Sequence, residues 1–306
     1  MEKEDNNAYK FDSISDLHRI IGLPKPLHPL ISLIDNQHCL IDFNKLPHPR
    51  VLNFYKIGYH PKFAGKLKYG QGYYDFDEGG LLFASPNQII GGPGEDNGKR
   101  SGYTLLIHPD FLWNYPLAKK IRQYGFFSYS ANEALHLSDK EKATILSIFK
   151  LIEEEFNSRI DDFSQDVMIS QIELLLNCCN RFYKRQFITR KVVSNDLLQK
   201  LEEILDEYFN QEKTLKEGIP TVHYLSEHLN ITPSYLSDML RSLTGLNTQQ
   251  HIHNKLIEKA KEKLSATSMS VSEVAYELGF EHPQSFSKLF KTKTKLSPVE
   301  FRQSFN

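Results

Sequence analysis

The chain has 306 residues, enough for about two or three domains with real cores, and its formal net charge of −1 separates it from proteins that coat nucleic acid through bulk positive charge. No stretch is apolar for long enough to span a membrane, and the start MEKEDNNAYK lacks the cationic-then-apolar order of a signal peptide, so a cytoplasmic protein is expected. Three cysteines, Cys39, Cys178 and Cys179, are odd in number and include an adjacent pair in a helical pattern, which fits reduced apolar side chains better than a disulfide framework.

The first part of the chain reads as β structure. VLNFYKIGYH from Val51, LKYGQGYYDF from Leu67, GGLLFASPNQII from Gly79 and GYTLLIHPDF from Gly102 are short, rich in aromatic and branched residues, and separated by Gly, Pro, Asp and Asn. That is the pattern of a small sandwich or barrel over 1–135. The tract GGPGEDNGKRSG, 91–102, joins two of its strands. Phe54, Tyr55, Tyr73, Tyr74 and Phe76 are candidates for an inner face, of which alternation allows about half to point inward, mostly as core. His48, His60 and His108 are scattered, with no His-x-His pair followed by Glu, so no metal is expected. No Gly-rich phosphate loop and no GxSxG motif occurs, hence no catalytic residue and no cofactor is expected.

A helical hairpin is expected over 136–190. Ser138 and Glu141 form a capping box ahead of the stripe Ile145, Phe149, Ile152 and Phe156. After a loop near Ser158–Ser164, a second helix carries Val167, Ile172, Leu175, Leu176, Cys179 and Tyr183. The basic, β-branched stretch 184–196 reads as the linker, and a helix Asp196–Phe209 opens a C-terminal domain, 194–306.

That domain contains two similar units. VHYLSEHLNITPSYLSDMLRSLTGL begins at Val222 and VSEVAYELGFEHPQSFSKLFKTKTKL at Val271. Val222, Leu225 and Leu229 fall on Val271, Val274 and Leu278 at an offset of 49, whereas Leu236, Leu240, Thr244 and Leu246 fall on Phe286, Phe290, Thr294 and Leu296 at an offset of 50. The second turn is therefore one residue longer. In each unit a short helix, broken at Asn230–Pro233 or Gly279–Pro283, must pack on the next one to bury its apolar face. With Leu236, Met239, Leu240 and Leu243 inward, Ser234, Ser237, Asp238 and Arg241 face outward. With Phe286, Leu289 and Phe290 inward, Gln284, Ser287, Lys288 and Lys291 do the same. Polar and cationic side chains at repeated offsets suit a helix that reads base edges and holds phosphates, and one such face alone would be ordinary solvated surface. Lys288, Lys291, Lys293 and Lys295 add an acid-free cationic run. The helix Thr248–Leu264, striped by Ile252, Leu256, Ile257, Ala260 and Leu264, is about 25 Å long and joins the units.

Over 215–303 the chain resembles the AraC/XylS family of bacterial regulators. The resemblance rests on Val271, Val274, Ala275, Gly279, Phe280, Phe286, Phe290, Lys291, Ser297, Pro298 and Arg302. Gly279 supplies a positive φ, Phe280 plugs the helix joint, and Ser297 with Pro298 starts a closing helix to Ser304. Three departures stand out. Lys295 occupies a usual Gly position, which leaves room for a differently built turn; Lys255 stands where Arg is common; and Asp238 lies on a recognition face where phosphates repel an acid unless it accepts from a cytosine amino group.

The resemblance implies an α+β protein with a cupin-like N-terminal barrel for a small-molecule effector, a dimerising helical hairpin and two helix-turn-helix units. The expected partners are double-stranded DNA, RNA polymerase, a second copy of the chain and the effector, with no membrane. A transcription regulator, raising or lowering expression, is the expected function. A cupin-type enzyme with an accessory nucleic-acid module and a ligand-independent DNA binder are the alternatives.

Overall fold

The computed structural model describes residues 8–37, 50–61, 66–69, 72–75, 79–90, 101–130, 133–159, 161–189, 191–211 and 213–305. The chain forms two compact units, Met1–Gln186 and Phe187–Asn306. Cys39, His48 and Phe76 and most of the 91–102 tract lie outside the described residues.

Strands of the first unit are β1 (Tyr9–Phe11), β2 (Ile31–Asp35), β3 (Arg50–Leu52), β4 (Tyr55–His60), β5 (Lys66–Tyr69), β6 (Gly72–Asp75), β7 (Gly80–Ala84), β8 (Ile89–Ile90), β9 (Tyr103–Ile107) and β10 (Leu135–His136). Its helices are α1 (Ile14–Ile20), α2 (Leu117–Lys120), α3 (Asp139–Asn157) and α4 (Ser164–Thr189). A five-stranded sheet of order β10-β7-β4-β9-β2 is antiparallel throughout, β1-β3-β8 form a second sheet, and β5 pairs with β6. Among the described residues these pairings leave the five-stranded sheet open.

Alternation along the strands sends side chains to two cores. On one face the Phe149 ring of α3 stacks on Tyr103 at 5.3 Å and leans on Tyr59 at 6.1 Å, while Phe83 meets Phe126 and Phe127. On the other, Ile34 and Leu106 pack with Phe11, Ile14, Leu17, Ile21, Leu52 and Phe54. Buried Phe54 and Tyr55 are thus core. The Ser138–Glu141 capping box is formed, and Ile145, Phe149 and Ile152 are buried as their spacing predicts. On α4 Ile172, Leu175, Leu176, Cys179 and Tyr183 are buried as their spacing predicts, while Val167 at the start of the helix stays exposed and Met168 and Ile169 go inward in its place. Cys179 is buried and Cys178 half-buried, both free thiols, and burial pushes the Cys179 thiol up, away from reactivity.

The second unit holds α5 (Lys191–Asn210), α6 (Lys213–Glu217), α7 (Val222–His228), α8 (Pro233–Thr244), α9 (Thr248–Ala266), α10 (Val271–Glu277), α11 (Pro283–Thr294) and α12 (Pro298–Gln303). The stretch expected to be a linker is helical on both sides of residue 190, and the division between units falls within α4. Leu201, Leu205 and Tyr208 of α5 are buried, and the Phe187 ring sits edge-on to Tyr235 of α8 at 5.1 Å. Helix α9 supplies buried Ile252, Leu256, Ile257, Ala260 and Leu264; the last four share a core with Val274, Ala275, Leu278, Phe280, Phe286 and Phe290. No helix among the described residues is long and apolar enough to cross a membrane.

Candidate nucleic-acid interface

The two helix pairs, α7–α8 and α10–α11, repeat each other in their hydrogen bonds as well as in their sequence. In the turns, Asn230 N–H donates to the Glu227 carbonyl at 3.1 Å and Gly279 N–H to the Tyr276 carbonyl at 2.9 Å. Ile231 N–H then donates to Ser226, and Phe280 N–H to Ala275, each at 3.0 Å. Both turns need a left-handed residue, supplied by Asn230 at φ 54° and Gly279 at φ 88°. The spans 229–232 and 278–282 differ by the one residue that the offsets require. Phe280 is buried with its ring 5.4 Å from Phe286, as a plug would be.

The helix exits also match. Thr244 Oγ1 donates to the Leu240 carbonyl and Thr294 Oγ1 to the Phe290 carbonyl, both at 2.8 Å. Gly245 (φ 77°, ψ −2°) and Lys295 (φ 69°, ψ −1°) then end α8 and α11 in the same left-handed conformation. The Lys295 turn is therefore built like its glycine counterpart, with a β-carbon where it costs about 1–2 kcal/mol. Ser297 caps α12 with Pro298 at its first position, and Arg302 Nε donates to the Leu264 carbonyl at 3.2 Å, tying α12 to the end of α9.

These supports leave one face of α8 and one of α11 outward. Gln284, Lys288 and Lys291 are exposed, Ser287 is half-buried, and the inward residues Phe286 and Phe290 are fully buried. Ser234, Ser237 and Asp238 are half-buried and Arg241 is exposed; Leu243 is only half-buried where core was expected. Ser237 is already engaged, since its hydroxyl lies 2.9 Å from that of buried Thr248. The counterpart of Thr248 in the second unit is Pro298, which has no hydroxyl, so Ser287 and Ser237 sit alike but bond differently. Lys293 Nζ donates to Asn254 Oδ1 at 3.2 Å and Lys295 Nζ to the Thr292 carbonyl at 3.3 Å, while Lys288 and Lys291 are exposed on α11.

The acid-free run in sequence acquires an acid in space. Glu300 has its carboxyl held below the usual range by the Ser297 backbone N–H, then by the Ser297 hydroxyl and by the charge of Lys291. Lys255 bridges Asp206 of α5 at 2.7 Å and Glu258 at 3.3 Å, so this cation of α9 anchors the helix to α5. Helix α9, 19 residues, spans about 28 Å, near the roughly 34 Å repeat of the major groove.

The architecture is that of a double helix-turn-helix domain. A family model described as a helix-turn-helix domain matches residues 225–304, and the C-terminal unit is a domain of this kind, of the AraC type. The HTH-type transcriptional regulator YisR of Bacillus subtilis is 29% identical over 99 residues, covering 32% of this chain and 32% of YisR. YijO of Escherichia coli is 26% identical over 113 residues, covering 37% and 38%. The matched segments thus span about a third of the length of these relatives. The C-terminal domain of the two-component response regulator yesN from Fusobacterium nucleatum matches 33% of this chain and 96% of its own at 30% identity, with a TM-score of 0.29.

Proposed function

We propose that this chain is a sequence-specific regulator of transcription that binds double-stranded DNA by placing α8 and α11 in successive major grooves. The observation that carries the reading is the repetition itself: two helix pairs share turn bonds, exit bonds and outward offsets, and α9 separates them by about one groove repeat. In this reading Gln284, Ser287, Ser234 and Asp238 face bases, while Lys288, Lys291 and Arg241 face phosphates or base edges; Ser237 lends its hydroxyl to Thr248 first. The first unit then serves as the effector-binding, cupin-like part, and the hairpin α3–α4 as the dimerising part. RNA polymerase is the further partner, in the cytoplasm, and no chemistry on the effector is involved.

Binding-site selection with the full chain, followed by footprinting of the selected duplex, tests the proposal. The expected result is one asymmetric site per chain with two protected major-groove segments about 10 base pairs apart. Binding without sequence preference, or protection of a single segment, overturns it.

A further inference from the structure

The two recognition helices are built alike and charged differently. At the offset of 50, Lys288 and Lys291 of α11 correspond to Asp238 and Arg241 of α8. Arg241 is the only cation in α8, and its Nη1 donates to Asp238 Oδ1 at 2.8 Å across one helical turn. The Arg241 side chain is 56% exposed and that of Asp238 30%, so the guanidinium is the outer partner of the pair. An exposed pair three residues apart adds little to helix stability, so the interest of this pair lies in how it holds the guanidinium.

We propose that Asp238 positions Arg241 as a guanine reader, so that the first unit selects a G·C pair in the major groove while the second unit binds chiefly through lysine contacts. The inference rests on the DNA-binding reading above. Guanine offers two acceptors, O6 and N7, that match the planar arginine fork. An unrestrained arginine is equally served by any phosphate. A carboxylate that accepts one N–H fixes the plane of the fork and offsets its charge, which lowers the pull of phosphates and leaves the geometric match to decide. Asp238 thereby trades general affinity for selectivity, and the pairing of Ser237 with Thr248 keeps the neighbouring turn of α8 in place.

Site selection and binding titrations compare the full chain with Asp238→Ala and Arg241→Lys, after circular dichroism shows unchanged helicity. The expected result is a G·C pair preferred by the unaltered chain at one position, with a discrimination of about 5- to 150-fold. Arg241→Lys should erase that preference, because a point charge lacks the fork. Asp238→Ala should reduce it while random-sequence DNA is bound as well or more tightly. The proposal is overturned if Arg241→Lys changes no base preference, if the position is not G·C, or if Asp238→Ala tightens every duplex equally with preference intact, which would make Asp238 a repulsive charge only. Absence of DNA binding by the unaltered chain is a different result and removes the underlying reading instead.

Discussion

Gly279 and Gly218 lie backbone against backbone: a β-carbon on Gly279 would stand 2.6 Å from the Gly218 carbonyl carbon, and Tyr208 of α5 donates its hydroxyl proton to the Gly218 carbonyl oxygen at 3.0 Å. The turn of the second unit is thus held against the α6–α7 connection, and no side chain fits between. Gly279→Ala is expected to cost roughly 2–5 kcal/mol, combining the left-handed φ with overpacking against immovable backbone. Gly245→Ala, at φ 77° with open space where the β-carbon would go, should cost only about 1 kcal/mol, as Lys295 already tolerates that conformation. Urea denaturation of both variants measures the difference, and equal losses would mean that the close approach carries no strain.

How much of this was legible in the sequence depends on whether a residue acts locally. Gly279, Phe280, Ser297 and Pro298 each perform a conformational task within a few positions, so the α10–α12 region was readable from residue types and spacing alone. The boundary between the units falls within 184–196 as the sequence predicts, but the helicity of this stretch is not legible, because Ile188, Thr189, Val192 and Val193 are β-branched and weak helix formers, while tertiary packing of Leu201, Leu205 and Tyr208 favours helix further along. Strand β2 was missed since Ile31, Ser32 and Ile34 are all buried, which hides the two-residue alternation. The engagement of Ser237 by Thr248 and of Lys255 by Asp206 needs the packing of α9 on its neighbours. No spacing rule reports it.

Helix α5 belongs to the helix-turn-helix unit energetically, although the family model begins at residue 225. It contributes the buried side chains of Leu201, Leu205 and Tyr208, the Lys255–Asp206 ion pair and the Tyr208 hydroxyl bond. Large-to-small losses of about 2–5 kcal/mol for each buried apolar side chain are comparable, once three are removed, to the whole stability of a typical small domain. A fragment 187–306 should therefore fold and bind DNA alone, whereas 211–306, which retains both helix pairs and α9, should be largely unfolded. A fragment from 194 keeps α5 without its first three residues, loses the Phe187–Tyr235 contact and should melt below the longer one. Circular dichroism melts and gel shifts on the three fragments decide it, and a folded 211–306 would show that α5 is dispensable.

Selectivity and affinity should separate on α11. Gln284 is exposed beyond the buried Phe286 and Phe290, and Gln284→Ala should relax base preference by about 1–3 kcal/mol if its amide reads a base. Lys291→Ala should weaken all duplexes alike and lower the salt slope by about one unit. Salt-dependent titrations against the selected site and a scrambled duplex check both. A loss of base preference in Lys291→Ala with an unchanged slope would reverse the two roles.

The histidines give the fold a direction in pH. Burial lowers His251, against the opposing charge of Glu202, and burial with the charge of Lys293 lowers His253. Burial also lowers His18, whose ring nitrogens lie 2.7 Å from the Pro24 carbonyl and 3.0 Å from Ser32 Oγ, and His28. In the unfolded chain these groups titrate near pH 6.5, so below that value the unfolded state binds more protons than the folded one. Stability contributed by the neutral histidines is fully present above about pH 6.5 and is lost as pH falls toward their lowered values. Urea midpoints should accordingly be flat from about pH 7 to 8 and decline as pH falls below about 6.5. His251→Gln combined with His253→Gln should flatten the part of this slope that belongs to the second unit, measurable on the 187–306 fragment if it folds as expected. A midpoint that rises as pH falls through this window would show that these rings gain partners for their charged form on folding, against the burial seen here.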